Sequence, residues 1–365
     1  MKNLKIIFDN IIFSLQNAGG ISNYWAQLIK QILKNKVYFF ETKNNNIFRK
    51  KLNIQTTIET NLPIQILRYL PFQKKLPSNS IFHSSYLRTT FQKEVVKIVT
   101  IFDFTYEYYE KGIRRFIHSL QKKISINNAD GIICISNNTK RDLLKFYPKI
   151  NKKKITTIYL GVENSFYKIR NLKKIIKANE FKKIYKKNVI LYIGERKKSY
   201  KNFHLAVDVV SSLKEFTLVA VGGNTITKKE EILVNKKLDK RFHHFENVSE
   251  AKLNRLYNIA FCLLYPSSYE GFGLPVVEAM SAGCPVISSN KSSIKEIAKD
   301  SALLVNKINK QNFIDAIKYL DNPKIRKKFI KRGLKLSKKF KWKTCAELTQ
   351  KFYKKIYKIK FKESN

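Results

Sequence analysis

Acidic residues are scarce in this sequence, and so are glycine, proline and cysteine. Its 365 residues include 27 Asp and Glu against 72 Lys and Arg, with 12 Gly, 8 Pro and 4 Cys. The cysteines, at positions 134, 262, 284 and 345, lie far apart and lack the CxxC or Cys/His spacing of a metal site. We therefore expect free thiols and no structural metal, as suits a reducing compartment.

Long apolar runs are also missing from the sequence. None reaches the roughly 18 residues that a membrane-spanning helix needs. The first segment, MKNLKIIFDNIIF, is interrupted by Asp9 and Asn10, and no small-residue cleavage site follows it, so it does not fit a signal peptide. We expect a cytoplasmic protein that meets the inner face of a membrane, if at all, as a peripheral protein.

The net charge of +45 has two interpretations. One is a polyanionic partner, either nucleic acid or an anionic membrane surface. The other is compositional, because Lys, Asn, Ile and Phe are enriched together and Lys is spread along the whole chain. The charge acts on a bilayer in either case, so we expect peripheral membrane association. Phe340, Trp342 and Phe361 are candidate interfacial anchors, although Trp342 also fits a packed helix.

Short apolar, β-branched runs alternate with helical patterns along the chain. Two series of strands are predicted, at 4–9, 37–41, 80–84, 95–103, 131–136 and 155–160, and at 189–194, 217–222, 243–248, 260–266, 285–289 and 302–305. Near-continuous apolar strands separated by helices are typical of parallel sheets covered on both faces. The fold class is therefore α/β, with two doubly wound domains.

The domain boundaries follow from the same pattern. We predict an N-terminal domain at 1–165, a Lys-rich linker carrying a helix at 166–187, and a C-terminal domain at 188–335. A last helix, at 336–365, is expected to pack back toward the N-terminal domain.

The scarce residue types gather between residues 266 and 296, in PSSYEGFGLPVVEAMSAGCPVISSNKSSIKE. Pro275 suits the first turn of a helix that runs to about residue 282, where Gly283 ends it. The preceding glycines allow a tight turn, and the amides at the helix start can bind an anion. Glu270 and Glu278 can each accept paired hydrogen bonds from vicinal sugar hydroxyls. Alternatively, Glu278 only complements the helix dipole and Glu270 is solvated.

The string YEGFGLPVVEAM, with GCPVISSN and SSIKEI after it, resembles family 4 of the retaining glycosyltransferases. NAGGISNYWAQL (17–28), FHSSYLRT (82–89), TIFDFTYE (100–107) and LYIGERKKSYKNF (191–203) resemble further segments of that family in the expected order. The resemblance implies a GT-B fold, in which two Rossmann-like domains face a central cleft. It extends to bacterial mannosyltransferase-like enzymes of surface-polysaccharide and lipopolysaccharide assembly.

The resemblance also implies roles for particular residues. Glu278 would hold the ribose hydroxyls of the donor, and Glu270 would face the transferred sugar. Arg196 and Lys201 would bind the donor diphosphate, where fixed cations stabilise the charge that develops as the sugar leaves. Backbone groups would complete the donor site, at Gly19, Gly20, Gly271, Phe272, Gly273 and Leu274. No metal or cofactor is expected besides the nucleoside-diphosphate sugar.

The acceptor side is less well defined by the sequence. Asp103 and His83 are the candidate catalytic residues there. Many relatives carry His-Asp where this chain has Phe102-Asp103, so a polar contact to the sugar is missing. A lone His after an apolar strand also fits a packed core residue.

These features and the resemblance together predict a retaining enzyme that moves a hexose, with mannose as the first guess, from a nucleoside-diphosphate sugar to a growing glycan. We expect this glycan to be a lipid-linked surface polysaccharide. The alternatives are a nucleotide-sugar epimerase on the same fold and a basic nucleic-acid-binding protein. The second lacks a helix-turn-helix, zinc-finger or aromatic RNA-binding signature, so no nucleic acid is expected as a partner.

Overall fold

The structure is a computed structural model that describes residues 4–32, 36–172, 184 and 188–362. It divides into two compact units, residues 1–161 together with 342–365, and residues 162–341. Among the described residues, no helix is both long and apolar enough to span a bilayer. The four cysteines are all buried and free, as predicted.

The strands alternate with helices throughout the described chain. In the first unit they are β1 (Ile6–Asp9), β2 (Val37–Glu41), β3 (Thr57–Ile58), β4 (Ser80–Ser84), β5 (Val95–Ile101), β6 (Gly131–Cys134) and β7 (Ile155–Thr157). In the second they are β8 (Asn188–Ile193), β9 (Phe216–Val221), β10 (Phe242–Phe245), β11 (Cys262–Tyr265), β12 (Val286–Ser289) and β13 (Leu303–Val305).

The helices of the first unit are α1 (Ile12–Leu15), α2 (Gly20–Ile32), α3 (Ile64–Leu67), α4 (Thr105–Tyr109), α5 (Gly112–Asn128), α6 (Asn137–Phe146) and the last one, α14 (Trp342–Lys362). The second unit contains α7 (Phe203–Ser211), α8 (Lys228–Leu238), α9 (Glu250–Ile259), α10 (Leu274–Ser281), α11 (Ser292–Ala298), α12 (Lys310–Asp321) and α13 (Pro323–Ser337).

Each unit is built on one parallel sheet. Within the described residues, the first sheet has the order β3-β2-β1-β4-β5-β6-β7 and the second β10-β9-β8-β11-β12-β13. Both orders reverse direction at the first strand of the unit, which is the doubly wound Rossmann-like arrangement. Strands β1, β4, β6 and β9 are buried along their whole length, because helices cover both faces of the sheets.

The twelve predicted strands are confirmed, with small differences at their ends. The strand predicted at 95–103 ends at Ile101, because Asp103 turns the chain by accepting the Thr105 N–H at 2.9 Å. The sequence does not predict β3. Its two residues are exposed at the edge of the sheet, so no buried apolar run marks them.

The predicted domain boundaries need correction. Residues after 161 are anchored on α9 of the second unit: the Ser165 hydroxyl donates to Glu250 at 2.8 Å, and the Ile169 N–H donates to Asn258 at 2.8 Å. The first boundary therefore falls after Gly161, not after residue 165. Most of the predicted linker, residues 173–183 and 185–187, lies outside the described residues.

The C-terminal prediction of one helix at 336–365 is also wrong in its bounds. Helix α13 ends at Ser337 and α14 begins at Trp342. Helix α14 contacts α2, β5 and β6, so it belongs to the first unit. A Cβ atom on Gly161 would lie 2.2 Å from the Trp342 backbone nitrogen. Glycine therefore permits the close approach of the two segments.

Candidate active site

Two strained residues hold the turn at 266–273 in the second unit. Asn202 and Ser292 have positive φ angles of 53° and 47°, a conformation that asparagine tolerates better than other non-glycine residues and that costs serine about 1–2 kcal/mol. The Asn202 side-chain amide donates to the Pro266 carbonyl and to the Ser268 hydroxyl, each at 2.8 Å. The Ser292 hydroxyl accepts the Glu270 N–H at 2.9 Å. Both strained residues thus fix the turn that carries Glu270.

Lys201 and Glu270 form an ion pair at this turn. The Lys201 Nζ atom lies 2.6 Å from the Glu270 Oε1 atom, and the two side chains are 15% and 11% exposed. The ammonium group also donates to the Tyr265 hydroxyl at 3.2 Å. Burial raises the pKa of that tyrosine well above its ordinary value of 10, so the hydroxyl is neutral. The pair is therefore fixed in position yet still reached by solvent.

Helix α10 begins directly after the turn. Gly273 occupies the N-cap position at φ 96°, and no side chain caps the helix. A Cβ atom here would lie 2.5 Å from the Ile294 Cδ1 atom, so the position requires glycine. The Ser293 hydroxyl donates to the carbonyls of Glu270 and Phe272, at 2.8 and 3.0 Å. An uncapped helix start whose turn is held this way can bind an anion through its amides.

Glu278 lies one turn into α10 and is partly buried. Its Oε2 atom accepts the Tyr257 hydroxyl at 2.9 Å. Burial raises the pKa of Glu278 from 4.5 to about 7, against the lowering effect of that hydrogen bond, and the carboxylates of Glu250 and Glu163 raise it further. The carboxyl group therefore changes its charge near neutral pH.

The predicted role of Arg196 needs correction. Its side chain is 1% exposed and lies 3.1 Å from Glu230. Its guanidinium nitrogens also bond the carbonyls of Gly222 and Asn224, at 2.5 and 2.6 Å, and the His244 ring at 2.6 Å. These partners take four of the five N–H donors of the guanidinium group. Arg196 therefore joins β8, β9, β10 and α8 inside the second unit, and Lys201 is the cation that the predicted diphosphate site retains.

Gly19 and Gly20 lie at the start of α2 in the first unit. A Cβ atom on Gly19 would meet the Gln16 side chain at 2.5 Å. Gln16 in turn accepts the Ser22 N–H at 3.3 Å. Gly19 therefore allows the Gln16 side chain to pack closely against the chain before the helix begins.

Gln16 and Asp103 line one cavity of about 290 Å³ in the first unit. Its polar lining includes Arg68, Tyr86, Asp103, His118 and Lys122. The Lys122 ammonium donates to the Asp103 carbonyl at 2.9 Å and to Glu107 at 2.8 Å. A concave site with several polar groups and apolar walls is suited to a small polar ligand such as a sugar.

His118 is the most unusual residue of this cavity. Its ring stacks on Tyr106 at a centroid distance of 3.7 Å, and its Nε2 atom lies 3.1 Å from the Tyr86 hydroxyl. Among the described residues, its buried Nδ1 atom has no hydrogen-bond partner. Burial lowers the pKa of His118 to about 3, assisted by the Lys122 charge. The ring is therefore neutral at physiological pH.

The prediction of a sugar contact by His83 needs correction. His83 is completely buried in β4. Its Nδ1 atom lies 2.5 Å from the Tyr353 hydroxyl, and its Nε2 atom lies 2.9 Å from the Thr100 hydroxyl. Burial lowers the pKa of His83 to about 3. It is a neutral core residue that positions Thr100, which lines the cavity.

Several site residues were not predicted from the sequence. Tyr257 and the cavity residues Arg68 and His118 stand in no motif, and an arginine carries little information where 72 of 365 residues are Lys or Arg. Ser292 and Ser293 belong to the segment SSIKEI. Their position directly after a predicted strand is the sequence feature that could have identified them as site residues. Among the described residues, no three His, Cys, Asp or Glu side chains are grouped so as to hold a metal ion.

Two family models match successive parts of the chain. The model described as "Glycosyltransferase Family 4" matches residues 18–166, and "Glycosyl transferases group 1" matches residues 173–336. The two matches follow the two Rossmann-like units, and together they span most of the sequence.

Two relatives are named as mannosyltransferases. The chain is 27% identical over 227 residues to the O-antigen chain mannosyltransferase RfbU of Salmonella typhimurium, which is 61% of this chain and 60% of that protein. It is 39% identical over 112 residues to the O-antigen chain mannosyltransferase B of Escherichia coli, which is 29% of this chain and 28% of that protein. The chain thus spans less than two thirds of either relative.

Among solved structures, the Anabaena protein HepE in complex with UDP-glucose has a TM-score of 0.75 and 13% sequence identity. The superposition covers 97% of this chain and 99% of HepE. The likeness shows the fold, which is the GT-B fold expected from the sequence.

Proposed function

We propose that this chain, which belongs to glycosyltransferase family 4, transfers a hexose from a nucleoside-diphosphate sugar to a glycan acceptor. The observation that carries the proposal is the Lys201–Glu270 ion pair of 2.6 Å beside the uncapped start of α10. A cation beside the backbone amides of Gly273 and Leu274 at an uncapped helix start suits a diphosphate, and a carboxylate next to them suits a sugar hydroxyl.

On the donor side, cleavage of the sugar–phosphate bond places negative charge on the leaving diphosphate. Lys201 and the amides at the start of α10 would stabilise that charge without rearrangement, because Asn202 and Ser292 already fix the turn. Glu278 would accept hydrogen bonds from the ribose hydroxyls as a carboxylate. The pKa of about 7 means that this form becomes dominant only above neutral pH.

On the acceptor side, the cavity of the first unit offers Asp103, Tyr86 and His118 to a glycan hydroxyl. Mannose is the proposed sugar, since two relatives are named as O-antigen mannosyltransferases. The proposal includes retention of the anomeric configuration, independence from metals and cofactors, and a lipid-linked acceptor in surface-polysaccharide synthesis. These finer points come from the family resemblance.

The test separates transfer from its alternatives. Full-length protein is incubated with radiolabelled GDP-, UDP-, ADP- or dTDP-sugars and extracted lipid-linked glycans. Label that moves into the glycan supports a transferase, whereas label recovered in an isomeric nucleotide sugar would indicate an epimerase. If the protein binds a donor but converts none of them, neither the transferase nor the epimerase activity is supported.

A thermal-shift screen with the same nucleotides identifies the donor. A ligand at 100 times its Kd stabilises the protein by about 2.7 kcal/mol. Lys201→Gln should abolish the shift, while the matched control Lys198→Gln, three residues away, should keep most of it.

A further inference from the structure

Helix α5 exposes a row of large apolar side chains to solvent. Its residues Ile113 and Phe116 are 70% and 64% exposed, and Ile117, Leu120 and Ile124 are exposed as well. Scattered apolar residues are normal on a protein surface, but a continuous row along one helix is not.

The apolar and polar faces of α5 are reversed relative to an ordinary surface helix, whose apolar face is buried. At about 100° per residue, the five exposed apolar residues fall within an arc of about 100°. Its buried residues are His118, Gln121, Lys122, Ser125 and Ile126, which lie on the opposite side and are mostly polar. The polar side faces inward because His118 and Lys122 line the cavity of the first unit.

The apolar surface continues beyond the helix. A groove of about 220 Å³ lies between α5 and the segments 69–71 and 87–91. Tyr69 and Phe91, which line this groove, are 49% and 64% exposed. We call α5 together with this groove the α5 surface.

Positive charge surrounds the α5 surface. The helix contains no Asp or Glu among its 17 residues. Arg114 and Lys123 are exposed beside the apolar arc, Arg115 is exposed in the first turn of the helix, and Lys111 precedes it. An apolar stripe bordered by basic residues on an otherwise basic protein matches an anionic bilayer, where apolar side chains enter the acyl boundary and cations meet the headgroups.

We infer that the α5 surface docks the protein on an anionic lipid bilayer, with Ile113, Phe116 and Leu120 inserted into it. This assignment replaces two of the anchors expected from the sequence, since Phe340 and Trp342 are each only 6% exposed. The inference deepens the proposed function, on which it rests for its biological purpose. A lipid-linked acceptor lies at the membrane, and a single helix, about 10 Å thick, separates the bilayer from the cavity lined by His118 and Lys122.

The test is sedimentation of the full chain with vesicles of phosphatidylcholine alone or mixed equally with phosphatidylglycerol, at low and high salt. Ile113→Ser with Phe116→Ser should lower the partition coefficient on anionic vesicles by about tenfold or more. The matched control is Ile232→Ser with Tyr319→Ser, because these residues of the second unit are 67% and 53% exposed. The control pair should bind as the wild type does.

A second pair of variants tests the charges. Arg114→Glu with Arg115→Glu should remove most binding to anionic vesicles, while Lys327→Glu with Lys328→Glu, exposed on α13, changes the net charge equally and should retain most of it. Phe116→Trp adds a fluorophore to two buried tryptophans. Quenching of this added fluorescence by brominated lipid would place residue 116 in the bilayer.

Several outcomes would overturn the inference. These are no sedimentation with anionic vesicles at low salt, equal losses in test and control pairs, or undiminished binding by the serine pair. Self-association through the α5 surface, seen by ultracentrifugation without lipid, would assign the surface to a second copy instead. The assay contains no donor or acceptor, so it tests membrane binding separately from sugar transfer. If the chain binds vesicles but transfers no sugar, the inference about the α5 surface stands and only the proposed transferase activity is contradicted.

Discussion

Replacing Glu278 with glutamine should stabilise the protein at alkaline pH and change little at acid pH. Burial raises the pKa of this carboxyl group from 4.5 to about 7, so the folded state holds the proton more tightly than the unfolded state. The free energy of unfolding therefore falls as the pH rises from about 4.5 to 7, and stays lower above that. Glutamine is neutral at every pH and can still accept the Tyr257 hydroxyl.

The size of the effect follows from the two pKa values. Each pH unit between 4.5 and 7 corresponds to 1.36 kcal/mol, so the upper limit is about 3 kcal/mol. Because Glu278 is only partly buried, solvent reduces this figure, and about 1–3 kcal/mol is the expected range. For a domain of about this size, each kcal/mol of stabilisation raises Tm by about 2–4 °C. We therefore expect the Tm of Glu278→Gln to exceed that of the wild type by several degrees at alkaline pH.

The assay is thermal unfolding of the wild type and Glu278→Gln at pH 5 and pH 8. Glu230→Gln is the contrasting control. Hydrogen bonds from Thr227 and the Arg196 charge lower the pKa of Glu230 despite its burial. Its stabilisation is present above the ordinary pKa and lost as the pH falls through the lowered one, so this variant should be destabilised at pH 8. An equal Tm difference for Glu278→Gln at both pH values would refute the raised pKa.

Three further predictions concern the proposed donor site. Glu278→Ala should weaken nucleotide binding, whereas Glu270→Ala should mainly lower kcat, because the proposed contact of the first is the ribose and that of the second is the reacting sugar; calorimetry showing wild-type affinity in both variants would contradict the assignment. Arg196→Met should lower the free energy of unfolding by about 3–5 kcal/mol, since it leaves Glu230 buried without its charge partner, while Lys201→Met should change the free energy of unfolding by no more than about 1 kcal/mol and reduce diphosphate binding; calorimetric Kd values and unfolding curves for the two variants decide this. Activity should survive excess EDTA, and complete loss that Mg²⁺ or Mn²⁺ restores would show that the proposed metal independence is wrong.

The sheets and the turn at 266–273 could be predicted because their signals are local. A buried parallel strand needs a continuous apolar run, and most of the twelve predicted strands have one; the edge strand β10, FHHF, is partly exposed and does not. Gly273 similarly indicates a turn, because its φ of 96° is a backbone conformation that other residues rarely adopt. Such constraints act within a few residues along the chain, so the sequence alone reveals them.

The surroundings of Arg196 and His83 could not be predicted because distant residues provide them, and for His83 the sequence left a sugar contact and a packed core position both open. His83 is held by Tyr353, 270 residues away, and Arg196 by partners between 26 and 48 residues away. The orientation of α5 is a similar case. The periodicity predicts two faces, but only the cavity that His118 lines explains why the polar face points inward.

The bond between His83 and Tyr353 can form only late in synthesis, because Tyr353 lies near the end of the 365-residue sequence. The second unit, residues 162–341, is inserted between β7 and α14 of the first. A ribosome therefore completes the inserted unit before it releases the helix that closes the first one. Until α14 emerges, Tyr353 is missing beside His83, and the first unit lacks part of its core. The domain that begins the chain is thus the last to be completed.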